Sequence, residues 1–136
     1  MSVVRRAESR RTETPNAVMT TLASPTQGSA GQSLWRVDMR PGQAGPRHAI
    51  DAEQIWTVLD GGAAVELDGR VLTVGPGDTL ILPADAPRRV SADPAAGFAA
   101  IVAAPAGARA YVVDAGPVPP GRAVPDADKL VPAWVA

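Results

Sequence analysis

Apolar and polar positions alternate along much of this chain, but only in short runs. In Ser33–Met39, Trp35, Val37 and Met39 fall on one face, and Arg36 and Asp38 on the other. That period of two is the mark of a half-buried strand. Further short runs rich in β-branched residues cover Ala17–Leu22, Gln54–Leu59, Ala63–Leu67, Arg70–Val74, Thr79–Leu82, Arg88–Ser91, Ala99–Ala103 and Ala110–Val113. The segment Val3–Arg11 reads as a first strand or as an arm. Asp60-Gly61-Gly62 predicts a hairpin between its flanking runs, because these residues tolerate positive φ, and Asp68-Gly69 predicts a second tight turn. No stretch sustains the helical period. Regular short strands between turns predict an all-β fold, a closed or two-sheet antiparallel barrel that leaves few open edges.

The 13 glycines and 14 prolines punctuate this pattern, and nothing repeats internally. One domain accounts for all 136 residues. Its expected parts are an N-terminal arm with strands over 1–32, a barrel core over 33–114 and a Pro-rich tail over 115–136. In the tail, Pro117, Pro119, Pro120, Pro125 and Pro132 oppose regular helix or central strand. Leu130, Val131, Trp134 and Val135 are apolar enough to dock on the barrel.

Composition removes several function classes. A net charge of −1 opposes nucleic-acid binding by bulk electrostatics, and Arg5, Arg6, Arg10 and Arg11 are interleaved with Glu8 and Glu13. No apolar run reaches the roughly 20 residues of a membrane helix, and no signal-peptide core follows the N-terminal charges, so a cytoplasmic protein is expected. The absence of cysteine excludes disulfides, thiolate metal sites and cysteine nucleophiles. Twelve arginines against one lysine, Lys129, suggest codon bias from a GC-rich genome rather than any chemistry. The sequence contains no phosphate-binding glycine loop, nucleophile elbow or helix-turn-helix.

The candidate chemistry gathers in two segments. The first runs Pro41-Gly42-Gln43-Ala44-Gly45-Pro46-Arg47-His48-Ala49-Ile50-Asp51-Ala52-Glu53-Gln54, then Ile55 to Gly61, and holds the only histidine. The second runs Gly75-Pro76-Gly77-Asp78-Thr79-Leu80-Ile81-Leu82-Pro83-Ala84-Asp85-Ala86-Pro87-Arg88. Together they resemble the two motifs of the cupin superfamily, over roughly residues 33–104. That resemblance implies a jelly-roll barrel (a double-stranded β-helix) in a small single-domain protein. By position, His48 matches the first metal ligand and Gln54 the acidic or amide ligand. Ile50 stands where a second histidine is usual, and Arg88 where the last histidine is usual. Ile50 donates nothing, and a guanidinium repels a divalent ion. Alternation turns Asp51 and Glu53 away from the pocket. The expectation is therefore a barrel without a functional metal and without a cofactor.

Each pocket residue carries two readings. His48 is either a satisfied polar residue near a turn or a general acid or base, since its ordinary pKa lies near neutrality. Register implied by the family turns Arg88 inward and Arg89 outward. A buried arginine calls for a carboxylate or a ligand anion, and Arg88 is then a substrate-binding residue for an anionic or oxygen-rich molecule. Gln54 can orient a carbonyl or hydroxyl. Trp56, on the same face, is either barrel core or a flat wall for a ring or polyene. Fold analogy adds Met19, Thr21 and Tyr111 at the mouth.

The resemblance thus implies a small-molecule-binding cupin acting as a metal-independent isomerase, cyclase or lyase. Its rivals are a non-catalytic ligand-binding cupin and a weakly metal-dependent lyase or isomerase. The expected partners are a small ligand in the barrel and a second copy of the chain, paired through Ser2–Arg11, with no nucleic acid and no membrane.

Overall fold

The computed structural model describes residues 2–113 and 125–136. Eleven strands form two antiparallel sheets that face one another as a jelly-roll barrel. They are β1 (Arg10–Glu13), β2 (Val18–Ala23), β3 (Gln32–Met39), β4 (His48–Ile50), β5 (Gln54–Gly61), β6 (Ala63–Leu67), β7 (Arg70–Val74), β8 (Thr79–Leu82), β9 (Arg88–Ala92), β10 (Phe98–Pro105) and β11 (Ala110–Val112). One sheet has the order β1-β2-β3-β10-β5-β8, and the other β11-β4-β9-β6-β7. Among the described residues no helix is long and apolar enough to cross a membrane.

Alternation sets which face is inside. On β3, Ser33, Trp35, Val37 and Met39 are buried while Arg36 is exposed. On β5, Gln54, Trp56 and Val58 are buried while Ile55 and Leu59 are exposed. The core between the sheets adds Phe98, Ala100 and Val102 from β10 to Val65, Val90 and Ala92 from the opposite side. Arg88 is 1% exposed and Arg89 lies outside, so β9 has the inward–outward register read for it.

The structure corrects the sequence reading in three places. Asp60-Gly61-Gly62 does not close a hairpin: β5 pairs with β8 and β10, whereas β6 pairs with β7 and β9 in the other sheet. Gly61 (φ 67°) turns the chain from one sheet to the other, and the Gly62 N–H donates to Gly97 O at 2.9 Å. Turn-forming residues permit a chain reversal; they do not dictate which strand the chain meets next. By contrast Asp68 (φ 50°) and Gly69 (φ 73°) do close the β6–β7 hairpin, with the positive φ pair that suits strand twist. Second, Arg6–Glu8 is a 3₁₀ turn, and the extended part of the arm is Arg10–Glu13, paired with β2 of its own chain. Third, β4 is a strand that the patterning missed.

The C-terminal segment seals one end of the barrel. Thr21 Oγ1 donates to Trp134 O at 2.9 Å, and Ser33 Oγ to Val135 O at 2.6 Å. Arg10 Nη2 and Thr26 Oγ1 donate to Ala136 O at 3.2 and 2.8 Å. Val135 is buried and Trp134 packs on the core, whereas Leu130 and Val131 are exposed. The part of the Pro-rich tail before residue 125 lies outside the described residues.

Candidate functional site

The two sheets and the C-terminal segment line a cavity of about 460 Å³, a size typical of small-molecule sites. Its walls are mostly apolar. Trp35, Val37 and Met39 come from β3, Ile50 from β4, Trp56 from β5, and Pro132, Trp134 and Val135 from the C-terminal segment. Ala17, Ala108, Ala110 and Ala133 also face it, and their small side chains leave open what larger residues would fill. The sparse polar groups include His48, Gln54, Thr14 and Asn16. Of the residues assigned to the mouth by analogy, Met19 and Tyr111 reach the cavity. Thr21 does not; it is fully buried and holds the C-terminal segment.

His48 opens β4, beside Arg88 of β9 in register. Its Nδ1 lies 2.8 Å from Pro46 O. A carbonyl oxygen only accepts, so Nδ1 carries the proton in the neutral ring and Nε2 keeps its lone pair. Burial pushes the imidazole pKa below its ordinary value and Arg88 repulsion adds to this, while the Pro46 bond works the other way. The ring is thus neutral near pH 7.

Gln54, Trp56 and Arg88 form one buried network. Gln54 Oε1 accepts from Trp56 Nε1 at 3.1 Å and from Arg88 Nη1 at 3.1 Å. Arg88 Nε donates to Ala86 O at 2.8 Å and Nη2 to Pro83 O at 2.9 Å. The Trp56 ring stacks on Phe98, with centroids 6.2 Å apart and planes 15° from parallel. Burial lowers the Arg88 pKa to about 10, against favourable fields from Tyr111 and Asp85, and leaves it cationic at neutral pH.

This arrangement revises the expectation for Arg88. Its buried charge is solvated by two backbone carbonyls and an amide oxygen rather than by a carboxylate. The guanidinium lies behind the cavity wall, outside the lining. Four sequence-nominated residues therefore lie together, but only His48, Gln54 and Trp56 face the cavity. Sequence reasoning passed over Asn16 and Thr14, and it expected the C-terminal segment to dock on the barrel without placing Pro132, Trp134 and Val135 in the cavity wall.

Just outside, Asp51 is tied to Arg109, accepting from its backbone N and its Nε, each at 2.7 Å. Tyr111 donates to Asp85 Oδ1 at 2.8 Å, and Lys129 sits 5.4 Å from its ring centroid.

The donor set does not fit a divalent metal. At the four family ligand positions stand one imidazole, one alkyl group, one guanidinium, and one amide whose oxygen already accepts from two cationic or polar N–H groups. First-row metals need several convergent N or O donors. Among the described residues no cluster of three His, Asp or Glu side chains offers an alternative, and Asp51 is engaged with Arg109.

A family model described as a cupin domain matches residues 35–102. No curated protein matches the sequence. Among solved structures, the polyketide cyclase RemF from Streptomyces resistomycificus is 23% identical with a TM-score of 0.72, covering 85% of this chain and 87% of its own. A cupin 2 domain-containing protein from Halorhodospira halophila is 22% identical, with a TM-score of 0.69 and coverage of 76% and 74%. KdgF from Halomonas sp. is 20% identical, with a TM-score of 0.64 and coverage of 77% and 94%. At these identities the likeness establishes the fold.

Proposed function

This chain belongs to the cupin family, and on that premise we propose that it is a metal-independent acid–base catalyst, an isomerase, cyclase or lyase acting on a largely apolar, ring-bearing organic molecule. One observation carries the reading: a neutral imidazole, its Nδ1–H fixed on Pro46 O, at the wall of an apolar cavity. Such a base does not have to shed a proton before it can act, and the apolar walls around it lower the local polarity. The polyketide cyclase among the fold neighbours supports the cyclase member of the set. The preference for an anionic substrate falls away with Arg88 turned out of the cavity.

A non-catalytic binding barrel is the second reading. The scarcity of polar groups on the cavity wall favours it.

The test is hydrogen exchange. The bicyclic ketone β-tetralone, with its acidic benzylic hydrogens, is incubated with the protein in deuterium oxide and followed by proton NMR. The expected result is exchange at least about a hundredfold above buffer, falling to the buffer rate in His48→Ala. Ketone that binds without any accelerated exchange sinks the catalytic reading and leaves the binding barrel.

A further inference from the structure

Gln54 is 3% exposed, yet it borders the cavity. Its amide has only one possible orientation. Both neighbours of Oε1, the Trp56 indole N–H and the Arg88 guanidinium, can donate and never accept. The oxygen must face them, and the NH₂ end is left for the cavity. Among the described residues no protein group accepts from that NH₂. Held in this way, the amide nitrogen presents its N–H groups to whatever fills the cavity, and a ligand that displaces water there without offering an acceptor would leave them unpaired at a cost.

We propose that the Gln54 NH₂ is a built carbonyl-recognition site, that the ligand class is ketones and related carbonyl compounds, and that Arg88 is its positioning residue. Binding requires only the geometry; the chemical consequence rests on the acid–base reading above. In that chemistry a carbon–hydrogen bond next to the ligand carbonyl breaks, and the proton goes to His48 Nε2. The bonding pair forms a carbon–carbon double bond as the carbonyl π pair moves onto oxygen. The Gln54 N–H groups hold that enolate oxygen. Arg88 acts through Gln54. Its charge draws on Oε1, which polarises the amide and strengthens the N–H donors on the far side. Anchors at Ala86 O and Pro83 O keep the guanidinium there.

The experiment is infrared difference spectroscopy of carbonyl-labelled β-tetralone bound to the intact protein, with affinity measured against tetralin, the matching hydrocarbon. The carbonyl stretch is expected to fall well below its position in hexane, and the ketone to bind about tenfold tighter than the hydrocarbon. Gln54→Leu abolishes both effects. Arg88→Met moves the stretch back towards hexane and Arg88→Lys restores it, whereas a merely structural arginine would leave the frequency unchanged. An unshifted wild-type spectrum overturns the proposal even if a variant fails to fold. A stretch equal to that in hexane, or no binding at millimolar ketone, overturns the proposal. Accelerated exchange with an unshifted stretch removes the Gln54 site and leaves His48 standing. A shifted stretch without exchange does the reverse.

Discussion

Replacing Gly61 by alanine tests the corner on which the barrel and its site depend. A Cβ at Gly61 would collide with the Gly97 carbonyl, lying 2.7 Å from its carbon and 3.2 Å from Phe98 N. These are backbone atoms, so no rotamer change relieves the clash. The residue also holds φ at 67°. Gly69 is an internal control with nearly the same φ, 73°, and nothing within 4 Å of the added carbon. Gly69→Ala therefore measures the left-handed backbone cost alone, about 1 kcal/mol. Gly61→Ala adds displacement of Gly97 and Phe98, on the order of 1–3 kcal/mol more by analogy with overpacked cores. The total of about 2–4 kcal/mol is a large share of a small domain's stability. Urea denaturation of the three proteins, with equal slopes, gives the comparison. Because Phe98 stacks on Trp56, Gly61→Ala should also weaken ligand binding, and Gly69→Ala should not. Equal destabilisation by the two substitutions would refute the sheet-crossing corner.

Further outcomes follow from single groups. His48 is the only histidine, so its imidazole resonance titrates alone, with a midpoint expected below 6.5. The unfolded chain then binds its proton first as pH falls, so the contribution of His48 to stability is whole above 6.5 and is lost as pH drops to the folded midpoint. His48→Gln should flatten that limb. Tyr111 is the only tyrosine, and burial with the Asp85 bond raises its pKa to about 12. Its ultraviolet ionisation should be delayed accordingly, and stability should fall between pH 10 and 12 less steeply in Tyr111→Phe than in the wild type. Ser33→Ala should cost about 1–2 kcal/mol in urea, because it strands the buried Val135 carbonyl.

Local chemistry explains how much of this was legible in the sequence. The alternation of β3 and the shared face of Gln54 and Trp56 are properties of one strand, and each appears in the structure as read. The Asp68-Gly69 hairpin is equally local. Asp60-Gly61-Gly62 has the same chemistry, but its outcome depends on Gly97, more than thirty residues away in sequence, whose carbonyl captures the Gly62 N–H. β4 has three residues and its pairing partners are distant, β11 and a single position on β9. The patterning carried no signal for it. The cavity's C-terminal wall depends on Thr21 and Ser33 finding the backbone of Trp134 and Val135, which no periodicity encodes.

Arg88 shows the same limit and gives the site its logic. The sequence identified a buried cation but not its partners, because Ala86 and Pro83 present carbonyls only through the shape of the loop before β9. With those partners known, the unusual residues at the ligand positions become one consistent set. A guanidinium ringed by three oxygens needs neutral acceptors that ask for no second cation. Gln54 supplies one, and an amide, unlike a carboxylate, still has donors left for the cavity. An apolar Ile50 is compatible with a cavity wall that lacks a donor set for an ion. Placing histidine at position 88 alone would therefore not build a metal site. It would remove the charge that fixes Gln54, leave Ile50 inert, and free the amide to turn its oxygen inward.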